Sequence, residues 1–375
     1  MPRLSAFALG AVSALALLAA PASARPAPDP QFATFVPSQN PNNDRIDYEI
    51  WNEAMKNIVI SMGPSLRETA GRPDPSFGTR RQYGHDSRYR LEGTRVMFSF
   101  FDDAVRNSFT EYRQDLERTA SAIDIQKLSR NEQLAYWVNL HNVAMVEQIA
   151  KAWPVRQPRE LLVDGVRLHD SKFITVEGVA MSPRDIREKI VYANWTSPEV
   201  VYGFWHGEIG SPSLQREAFT GENVADLLDK GARDFVNSLR GSQKRGDTLQ
   251  VSELYREVAP YYFPDFRSDI RAHIAKHADT ETNQILSVTQ EVEASVAEYD
   301  IADLAGGARE PTYSNVTNGS GMSNSFRVPQ SMGRLLAQRE KKFDKILREG
   351  RTGTVTFSNI KLPGDPEDKD KDEVE

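Results

Sequence analysis

Four side chains within eight residues, His206, Glu208, Ser211 and Ser213, follow an aromatic run in Tyr202-Gly203-Phe204-Trp205. An imidazole, a carboxylate and hydroxyls where a strand-like run breaks at glycines make a plausible place for chemistry. The same residues would also suit a tight polar turn. The spacing alone leaves both readings open.

These residues need elements to hold them. Ser129-Arg130-Asn131-Glu132 reads as a capping box, so a helix starts there and runs to Trp153-Pro154. Its stripe, Leu134, Val138, His141, Met145 and Ile149, carries an imidazole beside Asn139 and Asn142. Buried polar groups must find partners, so these three residues, with Glu208, are candidate ligand-binding groups or anchors for a neighbouring loop. Leu161 to Leu168 is a hairpin signal around Asp164-Gly165, which suits a type I′ turn. Phe173–Val176 and Val179–Met181 pair similarly around Glu177-Gly178, and Ser182-Pro183-Arg184-Asp185 opens the next helix.

Upstream, Ile46, Ile50, Trp51, Ala54, Met55, Ile58 and Val59 recur at helical spacing from Asp44 to Gly63-Pro64. A second helix spans about Asp102 to Ala122. Between them lies a loop with Arg67, Arg72, Arg80, Arg81 and Arg88, followed by Arg90 and Arg95. Those guanidiniums could grip an anion or simply pair with acidic neighbours. Downstream, helices are expected over Thr220–Arg240, Ser252–Val258 and Ser268–Ala278, with a strand at Thr248–Val251. His273 and His277 stand four apart, but no third ligand is evident in sequence, and a solvated helix face is expected there. No metal and no cofactor is expected.

The first 24 residues have the form of a signal peptide: Arg3, an apolar stretch from Phe7 to Leu18, and a small-residue site at Ala22-Ser23-Ala24. Cleavage after Ala24 would deliver the chain to the periplasm or outside the cell, with no stable membrane span remaining. The formal charge of −7 argues against nucleic acid as a partner. The chain has 375 residues and no cysteine, which excludes thiol catalysis, thiolate metal sites and disulfides. The remaining expectation is an extended lead-in at 25–43, one α+β domain at 44–303 and a C-terminal extension at 304–375. That extension holds a basic helix near Gly333–Glu349 and an acidic tail from Asp365, which lacks the glycine of a calcium loop. The expected fold is α+β, a helical N-terminal part packed on a small antiparallel sheet with further helices, the strands clustering between Leu161 and Trp205.

The order of Tyr136-Trp137-Val138-Asn139-Leu140-His141-Asn142, the hairpin through Phe173, Ser182–Val191, Gly210-Ser211-Pro212-Ser213-Leu214, Ala232-Arg233-Asp234-Phe235 and Tyr299-Asp300 resembles the family known as DUF547. The likeness covers about Leu116 to Asp300. It implies a relation to papain-like and transglutaminase-like thiol hydrolases, with a cysteine before the proline of the Gly-Ser-Pro segment and a histidine in the helix after the hairpin. Here those positions are Ser211 and Glu188, and a further family histidine falls near Val201. A serine needs a placed base where a cysteine is partly ionised already. Two outcomes follow. Either the site binds a peptide-like ligand or an envelope partner without chemistry, or Ser211 is a nucleophile activated by His206 or His141 with Glu188 orienting the ring. A purely structural envelope role, through the basic helix and the acidic tail, is the third.

Overall fold

The computed structural model describes residues 26, 29–71, 83–317 and 325–350, except the side chains of 314–317, 325 and 326. The expected leader, Arg72, Arg80, Arg81 and the acidic tail lie outside the described residues.

Helix α1 spans Glu49–Ile58 and passes directly into β1 (Val59–Ser61), which pairs antiparallel with β2 (Thr94–Val96). The helix starts later than its apolar spacing suggests, and Ile50 is exposed. Helix α2 (Asp103–Ala122) begins where its capping signal stands, with the Asp102 carboxylate accepting from Val105 N. Helix α3 (Arg130–Ala152) follows, and Ser129 caps it. The reciprocal half of the capping box is missing because the Glu132 carboxylate instead accepts from Ile46 N and Gly221 N, both 3.0 Å away. Propensity places the helix, but tertiary contacts take its first carboxylate.

Two hairpins come next, β3 (Leu162–Val163) with β4 (Val166–Arg167) and β5 (Ile174–Val176) with β6 (Val179–Met181). Asp164-Gly165 and Glu177-Gly178 take positive φ in both turns, as type I′ geometry requires. Helix α4 (Pro183–Asp185) has the full capping box, continues through a π-helical stretch at Ile186–Val191 and ends in α5 (Tyr192–Asn194). Helix α6 is Val224–Val236. Strands β7 (Ser242–Arg245) and β8 (Thr248–Ser252) form a hairpin, α7 (Glu253–Tyr262), α8 (Phe266–His277) and α9 (Thr280–Val288) follow, and β9 (Glu291–Val296) returns parallel to β8. Strands β10 (Tyr313–Thr317) and β11 (Ser325–Pro329) lead into α10 (Gln330–Glu349).

The fold is α+β. Its strands, however, form separate two-stranded ribbons and one three-stranded mixed sheet rather than a single antiparallel sheet. Residues 198–205, expected to continue into a strand, make a 3-10 turn at Pro198–Gly203 and then a buried irregular segment. Aromatic bulk mimics a strand pattern, but no edge is available there to pair with.

Both ends of the described chain join the core. The lead-in is not a free extended arm: Pro30–Phe35 is a 3-10 turn whose Phe35 ring meets Trp137 edge-on at 5.0 Å. The basic helix α10 docks on the chain itself. Arg339 Nε donates to Ser61 O at 2.6 Å, and Lys342 Nζ to Leu91 O at 2.6 Å. The described arginines of the arginine-rich loop likewise bond within the chain. Arg67 donates to Ser242 O and Asn237 O, and Arg90 to Gly71 O and Ser87 O. Arg95, fully buried, serves the carbonyls of Tyr89, Arg90, Glu92 and Thr94. These guanidiniums staple backbone carbonyls that no ladder satisfies. Among the described residues no helix is long and apolar enough to cross a membrane.

Removing the Phe35 ring should cost about 3–5 kcal/mol, because the lead-in then leaves a cavity against Trp137. Urea unfolding of Phe35→Ala would show a matching drop in midpoint with little change in slope.

Candidate functional site

Helix α3 is buried along nearly its whole length, so its polar side chains meet backbone rather than water. Asn139 donates through Nδ2 to Phe219 O at 2.7 Å and accepts from Phe219 N at 3.1 Å. Asn142 does the same one turn later, donating to Gly203 O at 2.8 Å and accepting from Trp205 N at 3.1 Å. Both amides are therefore anchors for the irregular segment, filled by backbone and not offered to a ligand.

The Asn142 assignment also settles the proton on His141. Its Nδ1 lies 3.0 Å from Asn142 Oδ1, an acceptor, so Nδ1 carries the hydrogen. That leaves the Nε2 lone pair to accept from Arg187 Nη1 at 2.8 Å. Burial, and then the adjacent Arg187 guanidinium, hold the His141 pKa well below the usual histidine range. Arg187 comes from the π-helical stretch, and the same Nη1 lies 3.5 Å from His169 Nδ1. Among the described residues no carboxylate forms an ion pair with Arg187, although it is only 4% exposed. Glu188, beside it in sequence, pairs instead with Arg184 Nη1 at 3.0 Å. It has no hydrogen bond to either imidazole expected to be its partner.

His206 stands with its ring centroid 5.4 Å from His169 and 6.5 Å from His141. Its Nε2 is buried without a hydrogen-bond partner, and burial, with Arg187 next, lowers its pKa well below the ordinary value. The turn that follows is built by close backbone approaches. Gly207 takes φ +87°, where a Cβ would also meet Ile149, and at Gly210 a Cβ would fall 2.4 Å from Glu298 O. Ser211 closes this turn. Its Oγ donates to Glu208 O at 2.8 Å and accepts from His206 N at 3.3 Å. No imidazole nitrogen hydrogen-bonds to it among the described residues. Ser213 bonds Asp234 Oδ2 at 2.8 Å.

The Glu208 carboxylate meets Arg159 in a bidentate pair at 2.8 and 3.3 Å. Burial pushes the carboxyl up, to about 7, against the pull of that guanidinium. Arg159 in turn lies 3.3 Å over the Tyr299 ring, and the Tyr299 hydroxyl donates to Glu253. Arg159, His206, Glu208 and Ser211 line a narrow cleft together with Glu253, Glu257, Glu298 and Tyr299. Its volume is about 30 Å³, room for one or two waters.

His206, Glu208 and Ser211 thus come together, Asn139, His141 and Asn142 form the support behind them, and Glu188 lies apart. Arg159, His169 and Arg187 were not legible in sequence. An isolated arginine or histidine next to an acidic residue reads as surface, and nothing in its spacing points inward. The pair His273 and His277 is a correction. Both are buried, 6% and 5% exposed, and not on a solvated face.

Residues 125–236 match a family model described as "Protein of unknown function, DUF547". The chain carries a DUF547 region. No curated protein and no solved structure matches it. The DUF547 match takes in α3, both hairpins and the His206–Ser211 turn, and stops short of Glu253 and Tyr299, which also line the cleft.

Two opposite pH effects meet at this site. His141 and His206 are uncharged in the fold but take up protons near pH 6.5 when unfolded, so stability falls as pH drops through about 6.5. Glu208, with its pKa raised, contributes stability that is lost as pH rises through about 7. Thermal midpoints taken from about pH 7.5 down to 5.5 should therefore fall, and His206→Asn should remove close to one proton from that dependence.

Proposed function

We propose that this is an exported cell-envelope protein that binds a ligand or partner without catalysing its conversion, at a groove of thiol-hydrolase type whose nucleophile is gone. One observation carries the reading. The Ser211 hydroxyl, where a nucleophile would be needed, is spent on Glu208 O and His206 N. A serine becomes nucleophilic only when a base takes its proton, and here a backbone carbonyl does not act as one. Glu188, the expected third member, is held by Arg184.

The cleft suggests what is bound. Glu253, Glu257 and Glu298 share the cleft with Glu208, whose charge Arg159 already meets, so the surplus is negative. At about 30 Å³ the space admits the tip of a group and not a whole residue. An amine at the end of a peptide-like ligand fits both features. The C-terminal basic helix gives less support to a purely structural role, since Arg334, Arg339 and Lys342 donate to carbonyls of this same chain.

A fluorophosphonate probe should leave the purified protein unlabelled, and a short lysine peptide should bind the wild type more tightly than Glu257→Gln. Labelling that disappears in Ser211→Ala would overturn the non-catalytic reading.

A further inference from the structure

Behind the segment that leads to His206 lies a second cluster of polar side chains. Glu199 stands in the 3-10 turn Pro198–Gly203, and His273 and His277 stand one turn apart on α8. All three are buried, and one ligating atom of each lies within 4.8 Å of the other two.

His277 has a carboxylate oxygen at both ring nitrogens, Glu199 Oε1 at 3.0 Å from Nε2 and Asp229 Oδ1 at 3.3 Å from Nδ1. Asp229 is placed as the outer carboxylates of metal-bound histidines are, accepting from Nδ1 and fixing the ring. His273 turns its Nε2 to the Tyr202 hydroxyl at 2.7 Å.

We propose that Glu199, His273 and His277 hold a divalent transition-metal ion, with zinc the best fit to two imidazoles and one carboxylate. A tetrahedral zinc at about 2.0–2.2 Å from its ligands sets them ~3.4 Å apart, so the side chains draw together modestly. Lys276 Nζ now lies 2.6 Å from Glu199 Oε1 and competes for the same charge. Its side chain is 63% exposed and can return to water. The ion would tie the turn before His206 to α8, with Asp229 of α6 behind it, a structural role independent of whether the cleft is catalytic.

The test uses the full chain stripped with a chelator and titrated with zinc alone by calorimetry, then with cobalt(II) followed by visible absorption. One ion per chain, a tetrahedral cobalt spectrum and a higher thermal midpoint are expected. Glu199→Gln, nearly isosteric, and His277→Asn should each weaken binding at least about 100-fold, and Asp229→Asn about 10- to 100-fold. Lys276→Ala, at a largely exposed side chain, should bind more tightly. Failure of the folded wild type to take up one zinc overturns the proposal, as does affinity unchanged in both Glu199→Gln and His277→Asn.

Discussion

The architecture depends on satisfying the backbone of an irregular segment buried in the middle of the core. Residues 198–219 run through the interior without a sheet ladder, so their N–H and C=O groups need other partners. Helix α3 supplies them. Asn142 serves Gly203 and Trp205, Asn139 serves both groups of Phe219, and Glu132 reaches Gly221. Three polar side chains along one helix thus replace a strand. Each is fully satisfied, which is what makes so polar a helix tolerable in the interior.

The same logic explains the arginines. Many guanidiniums here serve carbonyl oxygens, and Arg240 reaches Ile209 O and Ser211 O beneath the site turn. Arg187 differs in that its contacts are imidazoles and no carboxylate among the described residues forms an ion pair with it. The neutral rings beside it cost less than charged ones would so close to a buried cation. The site is thereby biased towards uncharged histidines.

The turn carrying His206, Glu208 and Ser211 is held from several sides. Residues 300–302 thread beside it, with Ile209 N on Asp300 O and Ala302 N on Gly207 O, both at 2.8 Å. On its N-terminal flank Glu199 and Tyr202 meet α8. A segment gripped this way is suited to presenting a fixed surface, as both the cleft and the polar cluster behind it require.

Local signals in the sequence were sufficient for the helix starts at Asp102, Ser129 and Ser182 and for both type I′ hairpins, because caps and turn dipeptides act through neighbours a few residues away. The zero cysteine count was legible too, being a statement about residue identity. What the tertiary structure decided were the partners. Asn139 and Asn142 read as ligand groups or as loop anchors, and their partners are the backbone of Phe219, Gly203 and Trp205. Glu188 read as a triad member, whereas its neighbour Arg187 meets the imidazoles. His273 and His277 read as a wet face because their third companion, Glu199, lies more than seventy residues earlier in the chain. Spacing along a chain reports which side chains share a face, but only packing brings distant faces together and determines which polar groups are already satisfied.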